Sequence, residues 1–367
     1  MNATPKLSRE AFIEELIANN FTTFFVATHP KYAKSNPAYR FTESPLSIAV
    51  PYSWSYSDAR QRLMDLSSLL TTEEAERRNI NFVNPALRDY MPAASLPTLR
   101  GGIQLLLPDE KAYSHRHSAN AFRLVLEAPE SGAYTNVHGN RLPMSMGDLI
   151  LTPNWTWHDH HNEGDSHVIW YDGLDVLMAY WVGGVFFEEM VDVTGEEYQE
   201  ITHEYNAVTD NYGPGMIHRQ QMYPDHFPAS NNPLIYYPYS KARALLADLA
   251  SQGPADPHEG VLIDYVNPVT CGPTFPSMGT SIRLIKEQST VEAMHRTENV
   301  LFITLEGSVT FHLPDDQKFT TEPHDVTAVP SWVPYSITND NDTPAVLFSQ
   351  TDRPVFKALG FYREQKA

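Results

Sequence analysis

Cysteine is almost missing from this sequence: Cys271 is the single thiol in 367 residues. An internal disulfide framework is therefore excluded, and the usage suits a reducing compartment. Cations are scarce as well. Lys and Arg number 26 against 45 Asp and Glu, a formal net charge of -19 at pH 7. That balance argues against nucleic acid or an anionic membrane as partner, because both demand a basic surface. No apolar run approaches the length of a membrane span. Residues 1–20 lack the basic end and apolar centre of a secretory signal and instead carry Glu10, Glu14 and Glu15 in an amphipathic pattern. The expected location is the cytosol and the expected partner a small molecule, with no nucleic acid and no membrane.

What is present is a large apolar share, 42% of the residues, enough to bury a substantial core in a chain whose length favours two folded units. Residues 8–19 read as a helix that Ser8 can cap, with Phe12, Leu16 and Ile17 as an apolar stripe. The Pro-, Tyr- and Ser-rich passage 29–56 has too little periodicity for regular structure and is expected to be a wrapping arm. Helical pattern returns over 57–70, and again where Thr71-Thr72-Glu73-Glu74 fits a capping box, with Asn84-Pro85 ending that segment. From Pro97 short apolar runs broken by Gly and Pro predict strands, most clearly 103–107, 122–126, 148–152 and 167–171. Helix is expected within 174–202, a long loop over 204–239, and a helix over 240–252 with Ser240 at its cap. Strand texture resumes near Val261. The expected organisation is an amino-terminal arm with helices (1–96), a first barrel (97–185), a helical and loop connection (186–260) and a second barrel (261–367).

The central stretch runs from His115-Arg116-His117 to Trp157-His158-Asp159-His160-His161-Asn162. His-x-His on a strand puts both imidazoles on one face, since strand side chains alternate with period two. His158, behind the Gly147-Asp148 turn and the apolar run 149–151, can supply a third nitrogen. Three imidazoles suit iron(II), zinc, copper or nickel better than magnesium or calcium. The second β region repeats the first: Gly147-Asp148, Pro153, Trp155, His158 and Asn162 match His324-Asp325, Pro330, Trp332, Tyr335 and Asn339 in spacing. Met294, Arg296 and Tyr335 replace the three histidines there, so the chemistry is expected in the first copy alone. His295 aligns with Arg116, one residue out of phase.

These paired patterns resemble the two cupin motifs, and the duplication makes the chain similar to a bicupin: mainly β, two double-stranded β-helix barrels, with N-terminal and linking helices. The glutamate usual in the first motif is missing, since Ala121 and Phe122 hold its positions, so the site resembles the three-histidine minority of cupins. Arg-Gly-Gly-Ile-Gln at 100–104, His-Arg-His followed by Arg123, Thr-Pro-Asn-Trp-Thr-Trp-His-Asp-His at 152–160 and Tyr-Asp-Gly-Leu-Asp at 171–175 resemble gentisate 1,2-dioxygenase and its salicylate and 1-hydroxy-2-naphthoate relatives. The resemblance implies one Fe(II) per chain on His115, His117 and His158. It also implies a small aromatic carboxylate bound through its carboxylate and ortho hydroxyl, and dioxygen as co-substrate. The ring would open between the carboxyl-bearing carbon and the adjacent hydroxyl-bearing one, so that gentisate gives maleylpyruvate. A homotetramer is implied too, with the amino-terminal arm suited to subunit contacts.

Around that triad the residues leave choices open. Arg123 shares the strand parity of the histidines, and either grips the substrate carboxylate or forms a structural ion pair with a residue such as Asp172. His160 is either a proton handler and substrate contact one step out from the metal or a structural histidine. Gln104 and Asp172 match pocket positions of the family and are either substrate contacts or hydrogen-bonded framework. The resemblance places an extra arginine near the pocket at Arg77 or Arg78, while Arg100 and Gly101 depart from the aromatic and small residues common in gentisate enzymes. Trp155 and Trp157 are expected in the core, and His161 in the scaffold. The leading reading is a gentisate or close hydroxybenzoate dioxygenase. Its rivals are a dioxygenase of salicylate, a substituted salicylate or 1-hydroxy-2-naphthoate, and a non-catalytic bicupin that binds a small carboxylate.

Overall fold

Short apolar runs punctuated by Gly and Pro pair into antiparallel sheets, and in this computed structural model they build two copies of one eight-stranded sandwich. The structure describes residues 8–24, 42–71, 74, 78–190, 198–201, 203–204 and 232–367. The first copy contains β1 (Arg100–Leu106), β2 (Lys111–His117), β3 (Ala121–Glu127), β4 (Ala133–Val137), β5 (Asn140–Pro143), β6 (Leu149–Thr152), β7 (His158–Asn162) and β8 (Val168–Leu174). The second contains β9 (Gly279–Ile285), β10 (Ser289–Arg296), β11 (Val300–Glu306), β12 (Val309–His312), β13 (Lys318–Thr321), β14 (Val326–Val329), β15 (Tyr335–Asn339) and β16 (Ala345–Thr351). One sheet of the first copy runs β6-β3-β8-β1 and the other β2-β7-β4-β5; the second copy repeats these as β14-β11-β16-β9 and β10-β15-β12-β13. This is the mainly β, duplicated architecture expected.

Every residue of β8 is buried, so the alternation of a half-exposed strand is absent. The reason is that its sheet is covered on both sides. Inward side chains such as Arg123 and Asp172 face the interior of their own copy. The opposite face meets the second copy: the Phe122 and Phe348 rings lie 5.3 Å apart, and Tyr171 Oη donates to Gln350 Oε1 at 2.7 Å. Close approach there explains a glycine. A Cβ on Gly101 would stand 2.4 Å from Tyr171 Oη. Gly101→Ala is therefore expected to destabilise the fold by about 1–3 kcal/mol, the usual range for overpacking a filled interior; denaturant titration at unchanged m-value checks it.

Two helices tie the copies together by one repeated device. In the helix Tyr56–Leu69, the Tyr56 N–H donates to Asp325 of the second copy at 2.7 Å, while Tyr56 Oη and Arg60 Nε reach Glu127 of the first at 2.6 and 2.7 Å. In the helix Tyr239–Ser251, the Tyr239 N–H donates to Asp148 of the first copy at 2.8 Å, and Tyr239 Oη and Arg243 Nε reach Glu306 of the second. The Arg60, Tyr56 and His167 donors hold the Glu127 carboxyl down at about 2 against its burial.

Several local expectations need correction. Ser240 does not cap its helix: Pro238 occupies the cap position, and Asp148 supplies the acceptor that a capping serine would have supplied. The capping box at Thr71 does form, with Glu74 N–H on Thr71 Oγ1 at 3.2 Å and Thr71 N–H on Glu74 at 3.0 Å, but no helix runs on to Asn84. Arg78–Asn81 is a strand on the edge of β1, because the open edge of β1 offers its backbone hydrogen-bond partners along one side. The helix Arg9–Ala18 is capped by Ser8, yet Phe12 and Ile17 of its stripe are about half exposed, at 49% and 53%. It belongs to a separate compact unit, Met1–Ile48; all later elements lie in Ala49–Ala367. Of the expected arm, residues 29–41 lie outside the described residues, and Tyr52–Trp54 is a strand paired with β14. The expected loop over 204–239 falls mostly outside them too, but Tyr236–Tyr237 pairs with β6. Among the described residues no helix is long and apolar enough to cross a membrane.

Candidate metal centre

His115 and His117 end β2 and His158 begins β7, and these two strands are neighbours with His115 opposite His158. Distance in sequence thus becomes adjacency across a ladder. The three ring centroids lie 4.0 to 5.6 Å apart, and one ligand atom from each ring falls within 4.8 Å of the other two.

Backbone carbonyls decide which nitrogen faces the centre. His115 Nδ1 lies 3.1 Å from Tyr113 O, His117 Nδ1 2.8 Å from Ala119 O, and His158 Nδ1 2.9 Å from Thr156 O. A carbonyl only accepts, so each Nδ1 carries the proton and each Nε2 keeps its lone pair. Burial, and after it the neighbouring His115, hold His158 well below the ordinary histidine range. It is therefore neutral at physiological pH, and its buried Nε2 has no hydrogen-bond partner. An ion at the point shared by three such nitrogens would satisfy an atom that otherwise costs stability by its desolvation. The donor set fits a divalent transition metal.

Beside His117 opens a cavity of about 220 Å³, with Arg100, Arg123, Gln104 and Asp172 on its polar wall and Leu174, Val176 and Phe186 on its apolar one. Phe187, on the strand that edges β2, stacks on His115 at 5.4 Å. Arg123 is 2% exposed. It donates to Thr152 Oγ1, while its Nε stands 3.7 Å from Asp172 Oδ1 and has no hydrogen-bond partner. Its burial lowers its pKa and the Asp172 charge raises it. Gln104 donates to Asp172, which also accepts from Trp170 Nε1 at 3.0 Å. Gln104 and Asp172 are thus bonded to each other within the cavity wall, and Arg123 lines the same cavity beside Asp172.

The other predicted residues divide. His160 is fully buried, 6.0 Å between ring centroids from His158, with Nδ1 2.9 Å from Thr135 Oγ1; it lies behind the triad, away from the cavity wall. His161 stacks on Tyr134 at 4.6 Å and binds Asp159, a scaffold position. Trp155 and Trp157 are not core residues. They are half-buried and sandwich the Arg116 guanidinium at 4.3 and 4.4 Å, which also pairs with Glu188 of the edge strand; this clamp holds that strand against β2. Arg78 is buried against Glu110 and Ser67 O, away from the cavity, and Arg77 lies outside the described residues. The second cavity arginine is Arg100, anchored by Nε to Asn81 Oδ1 at 2.8 Å. Its parity along β1 with Gln104 was the signal that could have found it.

The duplication agrees with comparisons to known proteins. The cupin domain family matches residues 102–177 and 282–350, one segment in each copy. The gentisate 1,2 dioxygenase 1 of Aquipseudomonas alcaligenes is 33% identical over 89% of this chain and 89% of its own length. This chain belongs to the gentisate 1,2-dioxygenase family. It is an aromatic ring-cleaving dioxygenase built as a bicupin. Within the family, the 1-hydroxy-2-naphthoate 1,2-dioxygenase of Nocardioides sp. (strain KP7) is 32% identical over 88% of this chain and 80% of its own length. The crystal structure of a salicylate 1,2-dioxygenase from Pseudaminobacter salicylatoxidans superposes with a TM-score of 0.85 at 27% identity, covering 100% of this chain and 99% of that one. The three histidines form a group that could hold a metal ion.

Proposed function

We propose that this enzyme opens the ring of gentisate, 2,5-dihydroxybenzoate, to maleylpyruvate with a single Fe(II) held by His115, His117 and His158. The observation that carries the reading is the junction of three clustered histidines, each with Nδ1 on a backbone carbonyl, with a cavity whose wall bears a buried guanidinium. When bound, the ion supplies one positively charged centre at which the substrate's carboxylate and ortho hydroxyl and dioxygen can be brought together. The bond between the carboxyl-bearing and adjacent hydroxyl-bearing carbons breaks and both oxygen atoms of dioxygen enter the product, so no outside reductant is required. Arg123 pairs with the substrate carboxylate and Arg100 adds a second cation at the rim. Asp172, fixed by Gln104 and Trp170, keeps the Arg123 fork oriented. Leu174, Val176 and Phe186 cover the ring faces and keep water away. His160, its Nδ1 on Thr135, braces His158 through the packing behind the triad.

Three features support a cytosolic homotetramer: the family resemblance, the charge of -19 and the single thiol. The substrate is tested by initial rates on gentisate, salicylate and 1-hydroxy-2-naphthoate at equal iron loading. The highest kcat/KM is expected for gentisate; a clear preference for either of the others would move the assignment to that rival within the family.

One metal per chain is expected. Among the described residues the only group of three suitable donors is His115, His117 and His158, while the second copy places Met294, Arg296 and Tyr335 at the matching positions, and the Arg296 charge repels a cation. Elemental analysis of active protein should give close to one iron per chain, and two would contradict the assignment.

A further inference from the structure

The second copy encloses a cavity of about 240 Å³, close to the 220 Å³ beside the histidines. The ladders place both at the same point of the repeat. β9 pairs with β16 as β1 pairs with β8, so Arg283 stands at the position of Gln104 and Ser349 at that of Asp172. β11 pairs with β16 as β3 pairs with β8, which puts Val300 at the place of Ala121. Duplication has kept the cavity and replaced its chemistry.

The replacement favours an anion. Arg283 is 4% exposed, and its Nε has no hydrogen-bond partner. Its Nη1 lies 3.3 Å from Glu259 Oε2, an ion-pair distance at which neither atom makes a hydrogen bond. Arg283 and Arg296 share Glu259, Arg353 is paired with Glu298 at 2.5 Å, and the half-exposed Glu364 stands 3.7 Å from Arg296, so three guanidiniums meet three carboxylates and their charges balance. What is left over is donors: the buried Nε and Nη1 groups of Arg283 would be satisfied by a carboxylate, which accepts through two oxygens and donates nothing. Leu262, Val266 and Val300 add apolar surface to the wall.

We propose that this second cavity binds a small organic monocarboxylate, its carboxylate on Arg283 and its hydrocarbon body against Val300 and Leu262. The site is independent of which ring the first copy opens.

Isothermal titration of the iron-loaded full-length enzyme with benzoate, under argon, tests it. Benzoate lacks the ortho hydroxyl and is not turned over. The expected result is a benzoate site that Arg283→Gln abolishes and Arg123→Met leaves intact, with iron content and turnover of the best substrate unchanged in Arg283→Gln. Glutamine is the residue the first copy carries at that position. Arg283→Lys, which keeps the charge and loses the planar fork, should weaken the same site about tenfold, the usual loss for one hydrogen bond to a charged group. Benzoate binding that neither Arg283→Gln nor Arg283→Lys alters, or no binding beyond a site that Arg123→Met removes, would overturn the proposal and leave the cavity to water.

Discussion

His158→Ala should yield folded protein that retains no iron and shows no measurable turnover. Its Nε2 is one of three donors on the centre, it is fully buried, and its Nδ1 is committed to Thr156 O. Two histidines of one strand cannot replace it, because no other described nitrogen joins the cluster. The control is His160→Ala. That ring stands behind His158 at 6.0 Å, so its loss should weaken metal affinity by about 10- to 100-fold and lower the rate, as changes in residues that support ligands usually do. Protein loaded with excess iron should then recover metal in His160→Ala and not in His158→Ala. The reverse pattern would exchange the two assignments.

Arg123→Met should keep its iron and lose about tenfold to a hundredfold in kcat/KM, because one charge-assisted contact to a carboxylate is worth roughly 1.5–3 kcal/mol. Arg123→Lys should also be costly, since it preserves the charge and loses the planar fork. The proximity of Asp172 gives the rival outcome a definite form. If Arg123 serves only that pair, catalytic efficiency at full iron loading will be unchanged and the loss will appear in thermal stability, because removing one partner leaves a buried carboxylate behind. Asp172 keeps Gln104 and Trp170 as donors, which limits that loss and favours the effect on substrate. Steady-state kinetics with measured iron content separates the two.

How much of this was legible in the sequence follows from the range of the forces involved. The strands were readable because Gly and Pro bound short apolar runs, and the triad because period two makes His-x-His one-sided whatever surrounds it. The duplication was readable for the same reason: equal spacings imply equal geometry. Contacts made by distant segments were not. Arg78–Asn81 follows a well-formed capping box and becomes strand because the edge of β1 was available. Ser240 has the right chemistry for a cap, but Asp148, from another part of the chain, takes the task. Trp155 and Trp157 read as core residues until Arg116 is seen between them. One signal was present and overlooked: Tyr-Ser-x-Ala-Arg occurs at 56–60 and again at 239–243, and it marks the helices that bridge the copies.

The measurement that tests the central claim most directly is oxygen uptake by enzyme stripped of metal and reloaded with increasing Fe(II), assayed on gentisate. The predicted result is a rate that rises in proportion to iron and levels off at one ion per chain, with one dioxygen consumed per ring opened and no reductant added. Full activity in the stripped enzyme, or a plateau at one iron per chain with no oxygen consumed on gentisate, salicylate or 1-hydroxy-2-naphthoate, would contradict it.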